Sequence, residues 1–91
     1  MQNATLQTTT LMALAQRKAY TEVLNTYQGY SIDTITKVAD FLRQQDIYKT
    51  ALPLYHYLLK HQQNSDLYFG IGQCYGKIYQ YETALPYLQQ T

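Results

Sequence analysis

The sequence predicts an all-α fold, a right-handed α-solenoid of five or six short helices stacked as antiparallel pairs. Three observations lead there. First, Tyr48-Lys-Thr-Ala-Leu-Pro-Leu-Tyr55 recurs as Tyr81-Glu-Thr-Ala-Leu-Pro-Tyr-Leu88. The interval between the copies is in the low thirties, a period that belongs to helix pairs burying their apolar faces only against neighbouring pairs. Second, apolar residues follow helical spacing: Ile35, Val38, Ala39 and Leu42 stand at i, i+3, i+4, i+7, as do Tyr68, Ile71, Gly72 and Tyr75. Third, the breaks at Gln28–Ser31, Gln45–Ile47, His61–Asn64 and Tyr79–Gln80 are short, as links between antiparallel helices are.

The expected organisation is an N-terminal helical region over 1–31, one repeat over 32–64 and a second over 65–91. In the first region, Ala19-Tyr-Thr-Glu-Val-Leu24 echoes Ile47–Leu52 and Gln80–Leu85, at a shorter offset from the next copy than the later two show. Two arrangements fit it: a degenerate helix pair ending early at Gly29, or one amphipathic helix over about Thr5–Gln28. The polar Met1–Thr5 start is expected to fray. Ser31 and Ser65 stand where N-caps belong, and Asp33 and Asp66 suit the positive ends of the helices they begin. Helix starts near Lys49 and Glu82 place Pro53 and Pro86 in or next to the first turn, where a missing N–H costs least. Ala51, Leu54, Tyr55, Leu58 and Leu59 form the stripe of the intervening helix. The chain stops three turns into its last helix, which would leave Leu85, Tyr87 and Leu88 facing water or a partner. A truncated array or a self-associating homodimer is therefore expected, since such arrays need capped ends.

Composition bounds the function. Net charge is +1, with no Lys/Arg run beyond Arg17-Lys18, which argues against nucleic acid, whose binding requires a basic stripe. No apolar stretch is long enough to span a membrane and the N-terminus lacks a signal-peptide layout, so no membrane insertion and a cytoplasmic location are expected. The single cysteine, Cys74, reads as a packed thiol. His56 and His61 are five apart and do not share a face as metal ligands at i, i+4 would. The six carboxylates are scattered outside apolar runs that would tune them for acid–base work. Neither an enzyme nor a metal or cofactor site is expected. Gly70-Ile-Gly72 lies in a helical stripe and not in a phosphate loop. Gly72 and Ala84 are expected at close helix approaches, while Gly70 and Gly76 could leave room for a ligand backbone.

Tyr68-x2-Ile71-Gly72-x2-Tyr75 followed by Ala84-x3-Leu88 resembles the tetratricopeptide pattern, as does the more degenerate Ile35-x2-Val38-Ala39-x2-Leu42 with Ala51-x3-Tyr55. Gln63 stands where that family usually has Pro. The resemblance implies a module that binds a protein segment in a concave groove. Carried onto this chain, the groove positions are Asp33, Thr36, Asp40, Arg43 and Gln44, then Asp66, Phe69, Gln73, Gly76 and Lys77. Thr36, Asp40, Arg43, Phe69, Gln73 and Lys77 are the peptide-binding candidates. Thr36 and Asp40 occupy two positions where chaperone-docking members carry their Lys/Asn clamp, so heat-shock-protein tails are disfavoured. Asp66–Leu85 also looks like the central repeat of type III secretion translocator chaperones, which read Gly-Leu-Gly-x-Cys, a likeness spanning Ile32–Leu85. That implies, as an alternative, a chaperone cradling a translocator segment. A further alternative is assembly through Leu85, Tyr87 and Leu88.

Overall fold

The computed structural model describes residues 3–91, with side chains from Thr10 onward. Six α-helices follow one another: α1 Asn3–Gln16, α2 Tyr20–Thr26, α3 Ile32–Gln44, α4 Tyr48–His61, α5 Ser65–Lys77 and α6 Tyr81–Leu88. A 3-10 turn, Tyr27–Gly29, extends α2, and no strand occurs among the described residues. Of the two arrangements open for the N-terminal region, the structure has two helices separated at Arg17–Ala19. α1 begins at Asn3, so Asn3–Thr5 are helical, while Met1 and Gln2 lie outside the described residues.

Three breaks share one geometry. Lys18, Asp46 and Tyr79 adopt left-handed φ values of 67°, 66° and 68°. In each, the left-handed residue donates to the carbonyl three back: Lys18 to Ala15, Asp46 to Arg43, Tyr79 to Gly76. The next residue donates to the carbonyl five back: Ala19 to Leu14, Ile47 to Leu42, Gln80 to Tyr75. This is the Schellman closure, which satisfies carbonyls a helix end leaves open. The three turns recur at the same intervals as the sequence echoes that begin at Ala19, Ile47 and Gln80. None of the three is glycine, although glycine is the residue that adopts this backbone without Cβ strain.

The starts of α3 and α5 are capped by side chains. Ser31 Oγ accepts from the Thr34 N–H at 3.2 Å, as expected. At α5 the cap is Asn64, whose Oδ1 accepts from the Leu67 N–H at 3.0 Å, and Ser65 is the first helical residue. The sequence expectation was one residue late because Asn and Ser are equally good caps. α4 and α6 begin one residue before the expected Lys49 and Glu82. Pro53 and Pro86 therefore fall in the second turn, each forgoing one backbone bond.

Neighbours in sequence pack together along α3, α4, α5 and α6, and alternate helices touch as well: α1 with α3, α2 with α4, α3 with α5. The result is elongated, 42 × 25 × 18 Å. One continuous core runs through it, from Leu11 and Leu14 of α1 through Val23, Ile35, Val38, Leu42, Leu54 and Leu58 to Leu67 and Ile71. Tyr27 meets Tyr57 edge-on at a centroid distance of 5.3 Å, fixing the 3-10 turn on α4.

Small residues set the closest approaches. Ala39 and Ala51 are fully buried and Ala84 is nearly so. At Gly72 an added Cβ would stand 2.6 Å from Leu88 Cδ2 and 3.3 Å from the Leu88 backbone nitrogen, so glycine lets α6 close on α5. Gly70 corrects an expectation. Its Cβ would stand 2.9 Å from Tyr55 Cζ, so the space it leaves is filled by this chain's own tyrosine and not by a ligand. Gly76, by contrast, faces open space.

Two paired outcomes follow for denaturant unfolding. Gly70→Ala destabilises, because the Tyr55 ring is buried and cannot swing away, whereas Gly76→Ala stabilises by up to about 1 kcal/mol through helix propensity alone. Ala51→Leu and Ala84→Leu each cost roughly 1–3 kcal/mol by overpacking, while Lys60→Ala on the exposed face changes little.

Candidate functional site

The residues proposed from sequence divide into those the fold brings together and those it leaves apart. Asp40, Arg43 and Gln73 meet around a fourth residue that the sequence placed only in the core. Tyr55, on α4, is 1 % exposed, yet its hydroxyl reaches the edge of α3. It donates to Asp40 Oδ1 at 2.6 Å and accepts from Arg43 Nε at 2.9 Å. Arg43 Nη1 then donates to Gln73 Oε1 on α5 at 2.6 Å, and its Nη2 lies 3.7 Å from Asp40 Oδ1. The chain Asp40–Tyr55–Arg43–Gln73 thus spans three helices.

Electrostatics follow from that geometry. Burial together with the bond to Asp40 pushes the Tyr55 hydroxyl well above the usual tyrosine range, keeping it a donor. Burial works against the Arg43 charge, but the Tyr55 hydroxyl and Asp40 outweigh it and leave its pKa raised. Nearby, Cys74 is fully buried and its thiol is pushed up to about 11, so at neutral pH it is an unreactive thiol.

Phe69, Gln73, Gly76 and Lys77 of α5 lie together along a shallow depression of about 410 Å³. Its remaining lining comes from Gly72 and from Tyr81 and Leu88 of α6, which the sequence did not assign to the groove. Phe69 is 46 % exposed, and Gly76 leaves its part of the wall bare of side chain. Gln73 belongs to both the depression and the polar chain, so the two are contiguous. The other groove candidates do not join them. Asp33 pairs with Lys37 at 3.1 Å on the exposed side of α3, and the Thr36 hydroxyl donates to the Ile32 carbonyl of its own helix at 2.8 Å. Gln44 and Asp66 are exposed.

The three residues assigned to self-association also separate. Leu85 is 54 % exposed, and Leu88 is 37 % exposed while its inner atoms lie over Gly72. Tyr87 does not belong to that outer face. It stacks on Tyr75 at 5.8 Å, meets His56 edge-on at 5.9 Å and lies 6.4 Å from Tyr68. One step along α6 turns a side chain by about 100°, which puts Tyr87 on the inner side. His56 shares a 2.9 Å hydrogen bond with the Tyr75 hydroxyl inside this cluster. His61 instead packs on Tyr57 at 4.6 Å, and no group of three or more potential metal ligands occurs among the described residues. No helix among them is long and apolar enough to cross a membrane.

Set against family models, curated proteins and solved structures, the chain has no match in any of the three.

The ring cluster has a pH signature. Burial, with Lys60 a secondary cause, lowers the His56 pKa below its ordinary value of 6.5. The unfolded chain then binds more protons across that window. This contribution to stability is whole above about pH 6.5 and declines as pH falls towards the folded pKa. NMR titration of the His56 ring should give a midpoint below 6.5, and His56→Gln should flatten the fall of melting temperature between pH 7 and 5 relative to the parent.

Proposed function

We propose that the chain is a tetratricopeptide-type solenoid of antiparallel helix pairs, α1/α2, α3/α4 and α5/α6, that acts in the cytoplasm and binds an extended protein segment without chemistry. The Schellman turn recurring at the same point of each pair and the contacts between alternate helices support the architecture, since stacked pairs bury their faces against their neighbours. The observation that carries the binding reading is the depression beside Phe69. A large aromatic side chain 46 % exposed in a concave, largely apolar hollow is the kind of anchor that segment-binding surfaces use. The adjoining polar chain supplies fixed donors and acceptors, since Arg43 and Gln73 are already oriented before a ligand arrives.

The absence of chemistry in this reading is supported by how the reactive groups are engaged. Cys74 is buried as a thiol, and Asp40 is held by Tyr55 and Arg43. Within the stretch that resembles translocator chaperones, Gly72 and Cys74 serve the α5–α6 seam and the core. Any repeat of this build shares those duties, so the general binding reading is preferred to the narrower one.

Peptides selected from a displayed random library against the immobilised protein provide the test. Their binding should weaken by on the order of 1–2 kcal/mol or more in Phe69→Ala, and stay level in Lys60→Ala. Full affinity in a Phe69→Ala/Lys77→Ala double variant would place the site elsewhere.

A further inference from the structure

Among the residues whose side chains are described, six large hydrophobics are exposed, and five of them fall within residues 69–88: Phe69, Tyr79, Tyr81, Leu85 and Leu88. Scattered exposed hydrophobics are ordinary, but a concentration at one end marks an interaction surface. Tyr81, Leu85 and Leu88 stand at i, i+4 and i+7, so they form one stripe along α6. Ala84 and Tyr87 face inward from the same helix. α6 therefore carries two apolar faces, one against α5 and one free.

The charges beside this stripe have opposite signs. Lys77 borders it from the α5 side, and Glu82 follows Tyr81, about 100° around α6. Neither forms an ion pair: the ion pairs among the described residues are Lys37–Asp33 and Arg43–Asp40. An apolar stripe with a cation on one flank and an anion on the other is complementary to itself when a two-fold axis runs along the stripe, because that rotation exchanges the flanks. A rim of a single sign would instead select an oppositely charged foreign partner. The net charge of +1 sets little repulsion between copies.

We propose that the occupant of this stripe is a second copy of the chain. Two α6 helices pair in the same direction about a two-fold axis that runs along them, with Leu85 at the centre and Lys77 of each protomer against Glu82 of the other. The stripe and its flanking charges carry this pairing independently of the peptide-binding reading. Lys77, Tyr81 and Leu88 also line the depression beside Phe69, however. The dimer then covers the site, and a bound peptide and a second copy exclude one another.

Sedimentation across a micromolar-to-millimolar concentration series tests it. The mass should rise from monomer and level at dimer, and Leu85→Glu should hold it at monomer. Leu85 is exposed and outside the depression, so circular dichroism of that variant should stay helical and selected peptides should still bind it. Lys77→Glu and Glu82→Lys should each weaken dimerisation by roughly three- to tenfold, and the double exchange should restore it. A monomer across the whole series, a mass that climbs past dimer, an undisturbed Leu85→Glu dimer, or a double exchange no better than the single ones would each overturn the proposal.

Discussion

The Tyr55 side chain is the constraint on which the arrangement of α3, α4 and α5 depends. Its ring occupies the space that Gly70 vacates on α5, so the two helices can approach only because one of them lacks a Cβ there. Its hydroxyl, at the far end of the same ring, accepts from Arg43 and donates to Asp40 on α3. A buried hydroxyl left unbonded would cost about 1–3 kcal/mol, so these partners are a condition of burying the ring at all. Arg43, fixed in this way, is aimed at Gln73 and closes the link back to α5. Packing and polar satisfaction thus specify the same relative placement of three helices beside the depression.

α5 and α6 meet through a different residue. Leu88 stands in the second copy where Tyr55 stands in the first, and Gly72 stands where Ala39 does. Leu88 needs no hydrogen-bond partner, so the α5–α6 seam forms by contact alone, with Gly72 admitting the leucine. The difference appears in exposure: Tyr55 is 1 % exposed beneath α5, whereas Leu88 is 37 % exposed. One end of the structure is therefore locked by a polar chain and the other presents apolar side chains. The functional readings draw on both, the fixed donors from the first seam and the apolar anchors from the second.

Most of the helical content was legible in the sequence because it is written as periodicity. The echo of Tyr48–Tyr55 in Tyr81–Leu88 marked the starts of α4 and α6 to within a residue, and Ser31 announced the start of α3. What could not be read depended on backbone geometry or on contacts between helices. The left-handed turns at Lys18, Asp46 and Tyr79 carry no glycine, so the usual signal for that conformation is missing. Gly70 looked spare because its partner, Tyr55, lies on the preceding helix and meets it only through tertiary packing. Tyr87 read as an outer residue together with Leu85 and Leu88 because all three lie on the last helix, yet its ring stacks inward on Tyr75. For the groove, the family resemblance grouped Phe69, Gln73, Gly76 and Lys77, which line one depression on α5. It had no means of adding Tyr81 and Leu88, which arrive from α6 once the helices pack.

Tyr55 and Gln73 share no hydrogen bond, and Arg43, bonded to both, joins them. A double-mutant cycle in urea unfolding, with Tyr55→Phe, Gln73→Ala and the combination, measures that directly. Tyr55→Phe alone should cost about 1–2 kcal/mol and the two changes should couple by at least about 0.5 kcal/mol, since losing the hydroxyl frees Arg43 from its aim. Strict additivity, with the double variant equal to the sum of the single ones, would mean the three helices are held by apolar packing alone and would contradict it.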